Sequence, residues 1–360
     1  MNMRVIVLGG MGNFGARICR ALAEAPGIEC VAASRSAQPG PRTARLDLDA
    51  DDFAHQLAAL RPDVVIHCAG PFQGQHYRVA LAACAAGAHY IDLSDGRDFV
   101  ANFAPAIDAP ARAAGICAVS GASSVPGLSS AVVDRLAQDF ATLEDIEISI
   151  APGQQAPRGA ATLQAVFGYA GAPVPHLRQG QWARAHGWQN IRTLRFDGLG
   201  TRWAATCDVP DLALFPARYA GVQTVEFRAA LELRAQHAVL WAAAALRRLG
   251  LPLPLARHAA WLNRVSSALL DRFGSPHGGM LVRVSGTRAD GRPGVSTWSL
   301  TAPDGHGPEI PCMAALLLTA QLADGTLQAR GAMPCMGLLT LDAFAPHFDK
   351  WGIRTRIDVA

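Results

Sequence analysis

The chain has 360 residues, half of them hydrophobic and 17% charged, enough to build two domains with substantial cores. A net charge of +3 with no Lys/Arg run excludes the usual electrostatics of a nucleic-acid binder, and Lys350 is the only lysine. The most apolar windows, Ala238–Leu246 and Ala314–Leu322, fall well short of the roughly 18–20 residues that a membrane-spanning helix needs.

Val5–Leu8 is a short unbroken apolar run, suited to a strand covered on both faces. Gly9, Gly10, Gly12 and Gly15 follow, and a helical pattern begins at once. Gly10-Met11-Gly12-Asn13-Phe14-Gly15 has the G-x-G-x-x-G spacing of a dinucleotide fingerprint. There the glycines allow a tight turn, a close backbone approach to a pyrophosphate and close helix–strand packing. The helix N-terminus behind them suits the phosphates. Because the chain runs straight into this strand, no signal peptide is expected and a cytoplasmic protein is.

Ile28–Ala33 reads as the second strand, tipped by Ser34-Arg35-Ser36. An NAD site places a carboxylate here; a hydroxyl and a guanidinium instead suit the 2′-phosphate of NADP. Ala44–Leu48 is the expected third strand, with Asp47 near its end within reach of an adenine edge. Asp51 and Asp52 are expected to cap a helix through Leu60. Val64–Ala69 is the fourth strand, running into the loop Gly70-Pro71-Phe72-Gln73-Gly74-Gln75. His89–Leu93 and Ile116–Ser120 are the fifth and sixth strands, each preceded by a helix ending at a glycine. This alternation predicts an α/β fold, a Rossmann-type doubly wound parallel sheet.

The runs V-L-G-G-x-G-x-F-G, D-V-V-I-H-C-A-G-P-F, A-G-A-H-Y-I-D-L-S-D-G and S-S-V-P-G resemble the saccharopine dehydrogenase-like family of NADP-binding oxidoreductases. The resemblance is good over about the first 130 residues, weakens, and returns faintly over Gly305–Leu339. It implies that Gly10, Gly12, Asn13, Phe14 and Gly15 hold the pyrophosphate, and Ser34 and Arg35 the 2′-phosphate. It further implies that Ala69, Gly70, Pro71 and Phe72 line the nicotinamide ribose, and that Asp92–Asp95 and Ser123–Pro126 face the cleft.

Beyond Gly127 a helix leads to Ile146, Ile148 and Ile150, which alternate with polar residues and predict a second, antiparallel sheet. Val222–Arg228, Met280–Thr287 and Val295–Ala302 alternate likewise, the last two as a hairpin. Helices are expected over Ala160–Ala170, about Ala229–Leu249, Ala256–Phe273 and Glu309–Leu322. Residues 1–126 with about 305–345 would form the dinucleotide-binding domain, and 127–304 an inserted α+β substrate or dimerisation domain.

Hydride transfer asks the protein mainly for positioning and, where a double bond is reduced, for a proton donor. Near the nicotinamide end lie His76, Tyr77, His89, Tyr90, Asp92 and Asp95. Tyr77, Asp95 and His89 are the catalytic candidates. Tyr77 reads first as a helix tyrosine packed on the sheet and His89 as a satisfied edge histidine, while Asp95 is equally explained as a helix N-cap. No Tyr-x-x-x-Lys pair and no G-x-S-x-G elbow is present, and the eight scattered cysteines offer no metal spacing. The arginines between 178 and 218 are candidates to clamp a substrate carboxylate. The first expectation is an NADP(H)-dependent oxidoreductase acting on a C–N bond of an imine or amino acid. Phe167, Trp182, Trp188, Phe215 and Trp241 leave open an enoyl or keto reductase of a less polar, lipid or polyketide-type substrate. A non-catalytic NADP-binding sensor or scaffold is the third reading. A small-molecule substrate and a homodimer complete the expectation.

Overall fold

The computed structural model describes residues 2–360. In chain order the elements are β1 (Met3–Leu8), α1 (Asn13–Ala23), β2 (Ile28–Ser34), β3 (Thr43–Arg45), α2 (Phe53–Ala59), β4 (Val64–His67), α3 (Arg78–Ala85), β5 (His89–Asp92), α4 (Arg97–Ala101), α5 (Phe103–Ala113) and β6 (Cys117–Ser120). Then come α6 (Ser129–Ala137), β7 (Phe140–Ala151), α7 (Ala160–Gly168), β8 (Pro173–Arg178), β9 (Gln181–His186), β10 (Arg192–Phe196), β11 (Gly200–Thr206) and α8 (Asp211–Arg218). Next are β12 (Thr224–Ala230), α9 (Arg234–Arg248), α10 (Ala259–Leu270), β13 (Gly278–Arg288), β14 (Pro293–Ala302), α11 (Ile310–Ala323), β15 (Gly331–Pro334), α12 (Ala345–Lys350) and β16 (Arg354–Val359). The chain folds as two compact units. One runs to Leu128 and takes in Glu309–Leu339; the other is Ser129–Pro308 with Thr340–Ala360.

In the first unit, a seven-stranded sheet has the order β3-β2-β1-β4-β5-β6-β15, and every pair in it is parallel. The first six strands take the order of a dinucleotide-binding sheet, whose ligands lie outside the carboxyl ends where the winding reverses, here between β1 and β4. Val5, Ile6, Val7, Val64, Val65 and Ile66 are completely shut off from solvent. This follows from their continuous apolar runs, since a parallel sheet is covered on both faces. The seventh strand, β15, has only four residues and ends in proline; the Asp108 carboxylate accepts the Ala332 N–H at 2.9 Å and anchors it.

In the second unit the main sheet has the order β10-β11-β12-β7-β13-β14-β16. The expectation of an antiparallel sheet needs correction: β12 and β7 pair in parallel, while the other pairs are antiparallel. Residues 173–206, rich in Trp, Arg, Pro and Gly, fold as four strands. Ala229 and Ala230 close β12, so the helix expected from Ala229 starts at Arg234. Among the described residues no helix is long and apolar enough to cross a membrane.

Candidate active site

The site starts where β1 ends. Gly9 has φ +75°, and a Cβ there would sit 3.0 Å from the Ala69 backbone nitrogen. At Gly10 it would sit 2.8 Å from the Ala32 Cα, and at Gly15 it would collide with the Gly9 carbonyl oxygen. The loop therefore closes only with hydrogen in these places. The Gly12 N–H donates to the Gly9 carbonyl at 2.8 Å, and Gly12 caps α1 without a side chain over the helix end. That leaves the first turn of α1, Asn13 to Gly15, open to an anion. Arg17 steadies this turn: its guanidinium donates to the Asn13 carbonyl and side-chain oxygen, each at 2.6 Å, and pairs with Glu309 at 2.9 Å.

At the tip of β2 the Ser34 hydroxyl is buried without a hydrogen-bond partner. Next to it Arg35 is exposed, and among the described residues no carboxylate pairs with it. An orphan hydroxyl and an unpaired guanidinium beside a glycine cradle fit the 2′-phosphate of NADP. Asp47 lies beyond β3, which ends at Arg45, two residues short of Asp47. Its carboxylate accepts the Asp49 N–H at 3.2 Å in a turn, so it belongs to a loop rather than to the strand assigned to it from sequence.

After β4, residues Ala69–Phe72 are held by Gln75, a residue that sequence reasoning missed. The Gln75 amide donates to the Ala69 carbonyl at 2.9 Å and the Pro71 carbonyl at 2.7 Å. Its oxygen faces His67 Nε2 at 3.2 Å. Burial pushes the His67 imidazole down to about 4, so it stays neutral near pH 7 and donates from Nε2. Phe72 is buried, its ring 4.9 Å from His67 and 5.4 Å from Phe99. The only signals in the sequence were a histidine in an apolar strand and a glutamine four residues after a proline.

Asp92 ends β5 and is fully buried. Its Oδ1 accepts the Gly121 N–H at 2.8 Å, the Ser94 N–H at 2.9 Å and the Ser120 hydroxyl at 3.1 Å. It therefore braces the crevice from inside rather than facing it. Burial raises its carboxyl to about 6 against the pull of these donors. Ser123 is also buried, and its N–H donates to the Gly121 carbonyl at 2.8 Å. Asp95 follows in the next loop, its Oδ1 accepting from the Gln73 amide at 3.3 Å; burial raises its carboxyl. It does not cap α4. Gly96 holds that position, its N–H donating to the Ser94 hydroxyl at 3.1 Å.

The other two catalytic candidates do not fit that role. Tyr77 donates its hydroxyl proton to the Phe99 carbonyl at 2.9 Å and packs against Phe99 and Phe103, so its proton is committed to the backbone. His89 opens β5, at the end of the sheet opposite the carboxyl edge, and its Nδ1 accepts the Cys117 N–H at 2.9 Å.

In the second unit, three of the arginines singled out from sequence are paired within the fold. Arg192 meets Glu147 and Glu226, the buried Arg202 meets Glu232, and Arg218 meets Asp134. Arg178 and Arg192 line a cavity of about 220 Å³ with His176, Glu226 and Arg228. The five large apolar side chains do not form one pocket: Trp188 and Phe215 are buried, whereas Trp182 and Trp241 are exposed.

Residues 5–122 match the sequence model of the saccharopine dehydrogenase NADP binding domain. No curated protein matches the chain. Among solved structures, the apo saccharopine dehydrogenase (L-Glu forming) of Saccharomyces cerevisiae is similar in fold over all of both chains, with a TM-score of 0.68 at 12% identity. A meso-DAP dehydrogenase mutant of Clostridium tetani, bound to DAP, is similar over 97% of this chain and 99% of its own, with a TM-score of 0.52 at 12% identity. Over residues 5–122 the chain thus carries a domain that matches the saccharopine dehydrogenase NADP binding domain, and over its whole length it resembles saccharopine dehydrogenase in fold.

Proposed function

We propose that this oxidoreductase transfers a hydride between NADP(H) and the carbon of a C–N bond in an imine or amino-acid substrate. The observation that carries this reading is the whole-chain likeness in fold to a saccharopine dehydrogenase, joined to a glycine cradle with a 2′-phosphate tip. The DAP dehydrogenase likeness in fold supports the same substrate class.

In this reading Gly10, Gly12, Asn13, Phe14 and Gly15 hold the pyrophosphate, Ser34 and Arg35 the 2′-phosphate, and Asp47 adjoins the adenosine. Ala69, Gly70, Pro71 and Phe72, fixed by Gln75, back the nicotinamide end, while Asp92 and Ser123 brace the neighbouring loops. When bound, the cofactor supplies or accepts the hydride. Asp95 is the side chain at the carboxyl edge that holds the proton, because burial keeps its carboxyl protonated to higher pH than an ordinary aspartate.

The test is a fluorescence titration with NADPH and, separately, NADH, followed by a panel of cyclic imines, amino acids, enones and ketones. Oxidation of NADPH by imines, or reduction of NADP by amino acids, supports the assignment. Turnover confined to enones or ketones moves the function to the less polar class. Tight NADPH binding with no turnover of any member points to a sensor.

A further inference from the structure

The α9–α10 region of the second unit has an inverted surface. Along α9 only His237, Leu240 and Ala244 are buried, one stripe at helical spacing. The opposite stripe, Ala235, Ala238, Val239, Ala242, Leu246 and Leu249, is exposed and wholly apolar, with Val239 71% and Leu249 77% exposed. An ordinary surface helix turns charged residues outward on that side. Helix α10 buries only Ala259 and leaves Trp261 58% exposed, and Phe273 just beyond it is 62% exposed. The two helices are tied side to side by the Gln236 amide donating to the Ser266 hydroxyl at 2.8 Å. Among the described residues, most of the exposed large hydrophobic side chains fall between 239 and 273. Such a concentration marks a surface that something covers.

Charge identifies what covers it. Residues 234–273 hold six arginines and a single acid, Asp271. Asp271 is turned inward, accepting from the Gln154 side-chain amide at 2.9 Å. Arg248, Arg257, Arg264 and Arg272 are exposed, and among the described residues none of them pairs with a carboxylate. A second copy meeting this face about a two-fold axis would set like charges against each other. An anionic lipid surface offers both an apolar phase and phosphates. At 15 residues α9 is about 22 Å long. That is too short to span a bilayer, so it would lie in the interfacial plane.

We propose that the α9–α10 hairpin docks on an anionic lipid surface. Val239, Leu246, Leu249, Trp261 and Phe273 enter the interface, and Arg248, Arg257, Arg264 and Arg272 meet the headgroup phosphates. This proposal is independent of which bond the enzyme reduces.

The experiment is co-sedimentation of the full-length, NADPH-loaded protein with phosphatidylcholine vesicles, with and without phosphatidylglycerol. Binding to the anionic vesicles is expected, roughly tenfold or more above the neutral ones and falling as salt rises. Val239→Glu/Leu246→Glu is expected to abolish it, and Arg257→Glu/Arg264→Glu to weaken it roughly tenfold. Unchanged NADPH titration and circular dichroism certify each variant as folded. No sedimentation with anionic vesicles overturns the proposal, and so does equal binding to both kinds. A wild-type dimer that Val239→Glu/Leu246→Glu converts to monomer overturns it in favour of a second copy.

Discussion

The Asp92 carboxylate and the Gly121 amide meet at 2.8 Å across the carboxyl ends of β5 and β6. The same oxygen takes the Ser94 amide and the Ser120 hydroxyl, while the Asp92 carbonyl takes the Ala122 amide at 2.7 Å. One buried residue therefore sets the first turns of two loops that border the nucleotide crevice. Asp92→Ala strands three buried donors, each costing about 1–3 kcal/mol. A total loss of about 3–5 kcal/mol is expected, with weakened NADPH binding. Asp92→Asn keeps the accepting oxygen and is expected to fall between alanine and the parent. Urea titration measures both; a loss below about 1 kcal/mol for the alanine variant sinks this account.

Arg35 is exposed and unpaired among the described residues, so its removal breaks no internal contact. Arg35→Ala is expected to leave the melting temperature in place and to weaken NADPH by about tenfold to a hundredfold, roughly 1.4–2.8 kcal/mol. NADH, which lacks the 2′-phosphate, should change by less than about twofold on the same scale. Equal losses for both nucleotides would place the guanidinium elsewhere than at the 2′-phosphate.

The three catalytic candidates separate in a single set of steady-state measurements. His89→Ala takes an acceptor from the Cys117 amide, and Tyr77→Phe takes a donor from the Phe99 carbonyl. Each is expected to cost about 1–2 kcal/mol of stability and to leave kcat unchanged. Asp95→Asn removes the proposed proton holder. Its kcat should drop by about a hundredfold or more while NADPH affinity holds. A comparable drop from His89→Ala would contradict its place at the far end of β5.

Much of the first unit was legible because its strands are unbroken apolar runs between glycines, a pattern that only a sheet covered on both faces explains. The position of His89 was legible too, since a residue that opens a parallel strand lies opposite the ligand edge; chemistry alone made it a candidate. The Gln75–His67 clamp was not. It depends on a loop folding back across eight residues, and a histidine inside V-V-I-H reads as core. Strand β15 was hidden by its four residues and terminal proline, which carry no periodicity. Alternation revealed β7 and β12 but says nothing of direction, so their parallel pairing came only with the structure. Strands β8–β11 escaped because their arginines do not keep to one face: Arg202 is buried while Arg184, Arg192 and Arg195 are exposed, which blurs the two-residue period.

Asp211 offers a test by pH. It sits at the start of α8, where the Ser129 hydroxyl donates to its Oδ1; both side chains are shut off from solvent, and Oδ2 has no partner. Burial pushes its carboxyl from 3.8 up to about 7. A raised carboxyl means the folded state holds a proton that the unfolded state has lost between about pH 4 and 7. Stability from this group is therefore greatest at low pH, declines as pH rises through that window, and is flat above it. His237 in the same unit acts with the opposite sign. Burial pushes it from 6.5 to about 4, so the folded state refuses a proton that the unfolded state takes, and stability falls as pH drops through that range. The two trends oppose each other in the parent protein, so its own pH profile is uninformative. Asp211→Asn removes one of them and leaves the other. The stability of the parent minus that of Asp211→Asn should be about 2–3 kcal/mol larger at pH 5 than at pH 8. Denaturant titrations of both proteins at the two pH values give this difference directly. A difference that is flat, or that grows with pH, would mean that Asp211 is ionised in the folded protein at pH 5.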